Sequence, residues 1–373
     1  MSYFGLVALI LAHFLVTAAP AYLVLIFSLV AKKGVKLPLR VVLYLCAWSC
    51  YWVAVLGYGS SSAVWTHLLF YSGFLIPWIV IQNNKWAEAF VNEKFIIALC
   101  LLTILEAALF NSPIGERLYF FPEEGSERFR MFGIYQRPAG LGGNSSMTAG
   151  VLWFLVVLNE QVRGAIKSST KFLVFATTVV LASGTGFALL MVYLSIAAFR
   201  RGRANVKYFV RGGLYVLLLA VALAVPFGFF GNVESSDKYS FDYAVLIYDY
   251  KVYEIEESLK LMFDGGDRGA MLLGHQILGG EAATSGDFGY LITLHAIGWI
   301  GALLLLLVPF LYPGALWRNI VPTLFFYLSF VHYPGLLSPP GQVLLACYLC
   351  LLARSGKKAG TTHIESAGTY QPA

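Results

Sequence analysis

Residues 291–312 read LITLHAIGWIGALLLLLVPFLY, a run without a single charged side chain. As a helix, a run of this length crosses a hydrocarbon core of roughly 30 Å. Residues 209–230 form a second such run. The strands of membrane barrels alternate between apolar and polar residues, and these runs do not, so the two stretches predict membrane-spanning helices.

The composition extends this prediction to the whole chain. Of the 373 residues, 58% are hydrophobic and 12% are charged, whereas soluble domains carry about 25% charge. The sequence therefore predicts an all-α, polytopic helical membrane protein with about 11–12 transmembrane segments. We place them at residues 3–31, 39–57, 64–82, 94–111, 146–159, 171–183, 186–199, 208–230, 287–311, 320–333 and 341–353.

The first segment leaves the number of spans open. As one helix, residues 3–31 would measure about 43 Å, which is long for a single span. A turn near Pro20 would divide the segment into two short helices. Because it lacks a basic leader and a small-residue cleavage site, we expect this stretch to remain part of the fold.

The distribution of charge predicts the orientation. The positive-inside rule places in the cytoplasm the basic residues that cluster between alternate segments, namely Lys32, Lys33, Lys36 and Arg40; Arg163, Lys167 and Lys171; Arg200, Arg201, Arg203, Lys207 and Arg211; and Arg354, Lys357 and Lys358. Most of the 20 acidic residues fall in two long loops, 111–146 and 231–286, on the outer side. The net charge of +6 thus indicates topology and contact with anionic lipid headgroups, not nucleic-acid binding.

These segments predict one transmembrane domain over residues 1–353 that includes both outer loops, followed by a cytoplasmic, disordered tail over residues 354–373. All five cysteines lie in apolar runs. Cys347 and Cys350 have the spacing of a redox or metal pair, but we expect every cysteine to be a buried thiol that packs as a small apolar residue.

Two segments break the rules of a plain helical bundle. Residues 172–199 have cytoplasmic charge at both ends, so this segment must enter the membrane and return to the same side. The two halves on either side of residues 183–186 are each too short to cross the membrane as a helix. Residues 332–341, HYPGLLSPPG, break a second pair. The turn at 183–186 is either a simple hairpin or, as in transporters, the floor of a cavity.

Single polar residues inside apolar helices are further candidates for functional residues. Glu106 lies about one turn from the outer end of its helix, where a carboxylate indicates either a functional site or a side chain that reaches the interface. His295 is a lone histidine on an apolar helix, and we expect it to be a packing residue.

The first outer loop carries four arginines and no lysine, which favours bidentate phosphate recognition. Its last part, RPAGLGGN over 137–144, leads into a helix with Asn144, Ser145 or Ser146 as the N-cap. A helix N-terminus beside an arginine favours an anion site. The alternative is a flexible loop followed by a capped helix.

The second outer loop contains an expected amphipathic helix over 241–263, which stops at Gly265 and Gly266. Its tyrosines are typical of a membrane interface, and some are candidates for stacking on sugar rings. Candidate acids, bases and an anion contact follow within about twenty residues: Arg268, His275, Glu281 and Asp287.

The two loop ends resemble bacterial polysaccharide polymerases of the Wzy type and the related O-antigen ligases. The run from Arg137 to Asn144 is similar to their R-x-x-G-x-x-x-N stretch, and residues 273–276, 285–290 and 297–301 look like their second periplasmic loop as it re-enters the membrane. Ligases tend to have His-Asn where this chain has Gly286 and Asp287, which favours a polymerase. Gly184 replaces an arginine that is common in the family.

The resemblance implies an enzyme of the bacterial inner membrane whose active site faces the periplasm. Its substrates would be a polyprenyl-pyrophosphate-linked saccharide donor and a lipid-linked acceptor, with a chain-length regulator protein as a further partner. No cofactor or metal is expected. The implied catalytic base is Asp287, His275 or Glu281, and the implied substrate contacts are Arg137, Asn144, Arg268, Arg130, Lys251, Ser183, Thr185 and Tyr290.

Two other functions remain open at this point. An O-antigen ligase would use the same chemistry with a lipid A core acceptor. A polysaccharide-lipid flippase or transporter is disfavoured because the sequence shows no internal repeat and has outer loops larger than a rocking bundle requires.

Overall fold

The computed structural model describes residues 2–12, 18–31, 37–58, 64–84, 86–112, 130–131, 135–200, 252–253, 255–257, 259–260, 268–278 and 288–367. The described chain is helical apart from one two-stranded antiparallel ladder in the first outer loop, β1 (Arg130–Met131) and β2 (Tyr135–Gln136). The helices are α1 (Ser2–Ile10), α2 (Ala19–Val30), α3 (Leu39–Tyr58), α4 (Val64–Ser72), α5 (Leu75–Asn84), α6 (Ala87–Phe90), α7 (Glu93–Phe110), α8 (Ser145–Arg163), α9 (Ser168–Leu181), α10 (Gly184–Arg200), α11 (Arg268–Leu273), α12 (Gly289–Leu306), α13 (Pro313–Leu316), α14 (Ile320–Leu328) and α15 (Pro339–Ala367).

Three helical stretches are long and apolar enough to cross a membrane: Leu39–Tyr58, Val64–Gln82 and Gly289–Leu311. Large apolar side chains also point away from the bundle, as Leu43 does on α3 with 61% of its surface exposed and Leu303 does on α12 with 50%. Exposed leucines at such positions suit contact with lipid chains better than contact with water. The same face of α3 carries Cys46 and Cys50, which are exposed rather than buried as we predicted, whereas the other three cysteines are buried.

Helices α8 and α15 form the centre of the bundle. From Thr148 to Leu158 every residue of α8 is buried, and so is every residue of α15 from Gly341 to Cys350. A helix that is apolar on all sides is stable only when neighbours surround it. Here α8 contacts α7, α9, α10, α14 and α15, while α15 also packs against α1 and α5.

Several predicted spans are divided in the structure. The first consists of two helices, α1 and α2, with Pro20 in the first turn of α2, and the two pack closely where Gly5 faces Leu25. The span at 64–82 breaks at Gly73. There the Nε2 atom of Gln342 donates to the carbonyls of Leu69 and Phe70 at 2.9 and 3.0 Å.

The hairpin predicted at 171–199 is confirmed, but its turn lies earlier than expected. α9 ends at Leu181 and α10 begins at Gly184, so the turn is Ala182–Ser183 and not residues 183–186. Ala182 adopts a left-handed conformation with φ of +45°. Thr185, which we predicted in the turn, therefore lies in the first turn of α10.

The second predicted break is also present. α14 ends at Leu328, and a 3₁₀ turn over Gly335–Leu337 precedes α15. α15 continues through Ala367, past the expected end of the last span at residue 353 and into the stretch for which we expected disorder.

Charged side chains gather at the end of the bundle where α6, α8 and α15 meet. The guanidinium of Arg163 donates to the carbonyls of Glu88 and Val91. Arg354 forms an ion pair with Glu88 at 2.8 Å. Because no such residues line the middle of α8 or α15, this charge marks one polar end of an apolar bundle.

Candidate functional site

The stretch from Arg137 to Asn144 is a tight, well-defined loop at the start of α8. Gly140 and Gly143 have φ of +65° and +77°, a conformation that favours glycine. The amide of Gly143 donates to the carbonyl of Gly140 at 3.1 Å. The glycines of this run are therefore required by the backbone path.

Two buried side chains bind the backbone of this loop. The hydroxyl of Thr148 donates to the carbonyl of Ala139 at 2.6 Å and accepts from the amide of Gly142 at 2.9 Å. The carboxylate of Glu106, on α7, accepts the amide of Gly140 at 2.7 Å. Glu106 is only 6% exposed, so it lies inside the protein instead of reaching the interface.

Of the three residues predicted as candidates for the N-cap of α8, Asn144 is the one that caps it. Its backbone is extended and its side chain accepts the amide of Ser146 at 2.8 Å. The Ser146 hydroxyl lies 2.9 Å from that of Ser183, which is fully buried in the turn between α9 and α10. Ser183 thus joins the starts of α8 and α10 and has no surface left for direct contact with a substrate.

The second break of the bundle lies against the same helix start. A Cβ at Gly335 would come within 2.7 Å of the carbonyl of Met147, so the 3₁₀ turn before α15 sits directly on α8. The start of α12 contacts this break as well, because the amide of Gly289 donates to the carbonyl of Val331 at 3.2 Å.

The starts of α8 and α10 therefore meet here, and the turn before α15 packs on α8. The starts of α8 and α10 carry a partial positive charge from their macrodipoles, since the first amides of a helix have no partner within it. Arg137 lies on the loop that enters the region. It is half-buried, and its Nε atom has no hydrogen-bond partner within the described part of the chain. The region is suited to an anion.

The end of the second outer loop forms a separate junction. The amides of His275 and Gln276 both donate to the carbonyl of His295 in α12, and the two imidazole rings lie 5.1 Å apart. The hydroxyl of Tyr51, on α3, donates to the carbonyls of Leu273 and Ile297 at 2.8 and 3.0 Å.

A kink in α12 makes this docking possible. Gly298 has φ of +61° in the middle of the helix, and Gly274 has φ of +107° in the turn above it. A Cβ at Gly274 would lie 2.2 Å from the carbonyl of Ala296. His295 is buried as expected, but its carbonyl also anchors the turn that carries His275.

The predicted site residues divide between the two junctions. Arg137, Asn144, Ser183 and Thr185 lie around the starts of α8 and α10, whereas Arg268, an exposed residue at the start of α11, and His275, half-buried, lie at the α3–α11–α12 junction. Arg130 is the first residue of β1. Asp287, Glu281 and Lys251 lie outside the described residues.

Tyr290 lies in the first turn of α12. Its hydroxyl donates to the carbonyl of Tyr327 at 2.6 Å, so it connects α12 to α14. The resemblance implied that this side chain contacts substrate, but the hydroxyl is already used within the protein. The Tyr290 ring is half-buried and contacts the rings of Phe288 and Phe330.

Sequence reasoning gave too little weight to Glu106 and did not select Thr148. The position of a carboxylate inside an apolar helix was a signal for the first. No pattern signalled Thr148, because its role follows from the path of a loop. Within the described ranges, no cluster of three or more His, Cys, Asp or Glu side chains has the arrangement of a metal site.

Comparison with known proteins adds no relative. No protein-family model matches this chain, and neither the curated proteins nor the solved structures include a significant match.

Proposed function

We propose that this protein is a glycosyltransferase of the bacterial inner membrane that polymerises lipid-linked saccharide repeats on the periplasmic face. The observation that carries the proposal is the contact between the starts of α8 and α10 at the end of the loop that carries Arg137, whose buried Nε atom has no hydrogen-bond partner among the described residues. This arrangement supports the binding of a strongly anionic group near the end of an apolar bundle. A polyprenyl pyrophosphate has these two parts, an apolar chain and a dianionic headgroup.

The proposed reaction is a displacement at the anomeric carbon of the donor. The bond from this carbon to the pyrophosphate oxygen breaks, and a bond to a hydroxyl oxygen of the acceptor repeat forms. The pyrophosphate leaves with the electron pair, and Arg137 together with the helix starts stabilises the charge that develops on it. Arginine serves this role because its planar guanidinium pairs with two phosphate oxygens at once.

A base must accept the proton of the attacking hydroxyl. We favour Asp287, because it lies two positions before Gly289, where α12 begins beside the anion region. His275 and Glu281 are the other candidates. The half-buried His275 lies on the turn that docks on α12, so its main chain is held close to the same helix.

The proposed topology follows from the charge pattern and the apolar helices. The three longest apolar stretches cross the membrane, and the remaining spans are the shorter and broken helices that surround α8 and α15. The charged end around Arg163 and Arg354 then faces the cytoplasm. Both loop ends lie on the periplasmic side, with the lipid bilayer, the donor and the acceptor as partners.

Substitution of Arg137 tests this function. In a strain that lacks the chromosomal gene, Arg137→Ala should abolish long polysaccharide, because a buried anion loses its main counter-charge. Arg137→Lys should retain a small part of the activity, since lysine supplies charge without bidentate geometry. The measurement is the chain-length ladder, alongside the amount of protein in the membrane.

Arg318→Ala is the matched control. Arg318 is exposed, and its backbone carbonyl accepts a hydrogen bond from the Nε2 atom of Gln161. We expect a ladder of normal length. A normal ladder from Arg137→Ala would contradict the proposed site.

A further inference from the structure

The buried carboxylate of Glu106 has a role that rests on the proposed function. We infer that Glu106 is a positioning residue of the pyrophosphate site: together with Thr148, it sets the backbone path of residues 139–142 and thereby the place of Arg137. The hydrogen bonds that carry this inference join α7 and α8 to the loop between them.

The loop needs external support. Two of its residues are left-handed glycines, and glycine loses more conformational freedom on ordering than any other residue. The loop makes one internal backbone bond, from the amide of Gly143 to the carbonyl of Gly140. The neighbouring polar groups, the carbonyl of Ala139 and the amides of Gly140 and Gly142, are bound by side chains of the bundle.

The two supports come from different helices. Thr148 lies one turn into α8 and bonds two groups of the loop at once, while Glu106 approaches from α7. A Cβ at Gly140 would come within 2.5 Å of the Thr148 side chain, so the loop lies directly on it. The Gly140 amide is thus bound between two rigid helices.

The choice of a carboxylate favours a functional role over simple stability. A charged group within an apolar span is costly, and such groups mark functional sites. A neutral side chain would satisfy one amide at lower cost.

The amides of Gly140 and Gly142 are used by Glu106 and Thr148, so they do not contact the substrate. Their role is to determine where the chain runs. Arg137 precedes Gly140 by three residues, and Asn144 follows it by four and caps α8. A loop bound in this way brings the guanidinium and the helix start to the pyrophosphate without reorganisation during the reaction.

Hydrogen exchange and turnover, measured on the full-length protein in nanodiscs, test the inference. Glu106→Leu and Thr148→Val each remove a partner of a loop amide. We expect each substitution to speed exchange of the Gly140–Gly142 amides by about tenfold. We also expect the elongation rate at saturating lipid-linked repeat to fall by about tenfold or more, since misplacing a binding group lowers the rate of the reaction itself.

The conservative variants distinguish positioning from direct chemistry. Glu106→Gln keeps an acceptor oxygen, and Thr148→Ser keeps the hydroxyl, so both should restore exchange and elongation to within about threefold of the wild type. Thr103→Val is the matched control, because Thr103 is a fully buried residue of the same helix whose hydroxyl bonds the carbonyl of Leu99. It should change neither quantity.

Two results would overturn the inference. If Glu106→Gln were as inactive as Glu106→Leu while its loop exchanged like the wild type, Glu106 would act on the substrate through its charge. Wild-type exchange in both Glu106→Leu and Thr148→Val would also refute it. Full activity of Arg137→Ala would refute the proposed function alone, because the exchange rates would still report on the loop. If Glu106→Leu does not fold, the exchange and elongation rates of Thr148→Val and Glu106→Gln test the inference instead.

Discussion

At the scale of single residues, the turn that carries His275 depends on Gly274. With φ of +107° and no space for a Cβ beside the carbonyl of Ala296, this position accepts glycine alone. Gly274→Ala should displace the turn from α12 and lower the stability by more than about 1 kcal/mol. The midpoint of thermal unfolding in detergent measures this change.

Gly184→Ala is the control for that substitution. Gly184 has open space around its Cβ position and no left-handed φ, so the thermal midpoint should stay close to that of the wild type. A drop of equal size in both variants would mean that the docked turn is not the cause.

Single residues also show what sequence can predict about a site. Local pattern alone predicted a cap at Asn144, Ser145 or Ser146, because a cap depends on residues two or three positions away, and Asn144 is the one that forms it. The bond from Gly140 to Glu106 joins positions 34 residues apart, and no local pattern contains it. Tyr290 was assigned to substrate for the same reason, since its bond to Tyr327 depends on the packing of two helices.

At the scale of elements, the hairpin of α9 and α10 holds a strained turn. Ala182 is the one non-glycine residue with positive φ in the described part of the chain. Ala182→Gly should therefore leave stability unchanged or raise it by up to about 1 kcal/mol, as strain relief competes with the greater freedom of glycine in the unfolded chain. Thermal unfolding measures the sign.

An alanine-to-glycine substitution in the middle of α10 is expected to lower stability instead. Ala188 is an exposed residue within α10, and Ala188→Gly should cost about 1 kcal/mol of helix stability. If Ala182→Gly destabilised the protein as much as Ala188→Gly, the left-handed turn would not be strained.

Helix breaks were predicted where the length of a segment determines them. They were not predicted where contacts between helices determine them. The breaks in the 172–199 hairpin and before α15 followed from segments too short to span, whereas the sequence left residues 3–31 open as one long helix or two short ones. The kink at Gly298 and the break at Gly73 were not predicted. Both depend on partners in other helices, Tyr51 for the first and Gln342 for the second.

At the scale of the whole molecule, the charge pattern predicts the orientation in the membrane. Fusions of alkaline phosphatase and of a green fluorescent protein after Ser112, Gly164 and Ala367 test it. We expect phosphatase activity after Ser112 and fluorescence after the other two, because the basic clusters beside Gly164 and in the last helix remain in the cytoplasm. The same reporter active at all three positions would contradict the topology.

Overall architecture was the most predictable level, because uninterrupted apolar runs restrict a chain to few structures. The sequence did not reveal that α8 and α15 are the central helices. Their apolar runs resemble those of α3, yet α3 exposes Leu39 and Leu43 while residues 341–350 of α15 are all buried. Which of several similar helices lies inside depends on contacts such as Gln342 with Leu69, which only the folded chain defines.

The central claim, that this protein joins lipid-linked repeats, is tested most directly by the saccharides that a deletion strain accumulates. If the protein polymerises repeats, the strain should carry surface core capped by single repeats and make no long chains, and the intact gene should restore the ladder. Bare core with long chains still attached to the lipid carrier would contradict this account and indicate a ligase. Single lipid-linked repeats retained on the cytoplasmic leaflet would contradict it as well, since they would indicate a flippase.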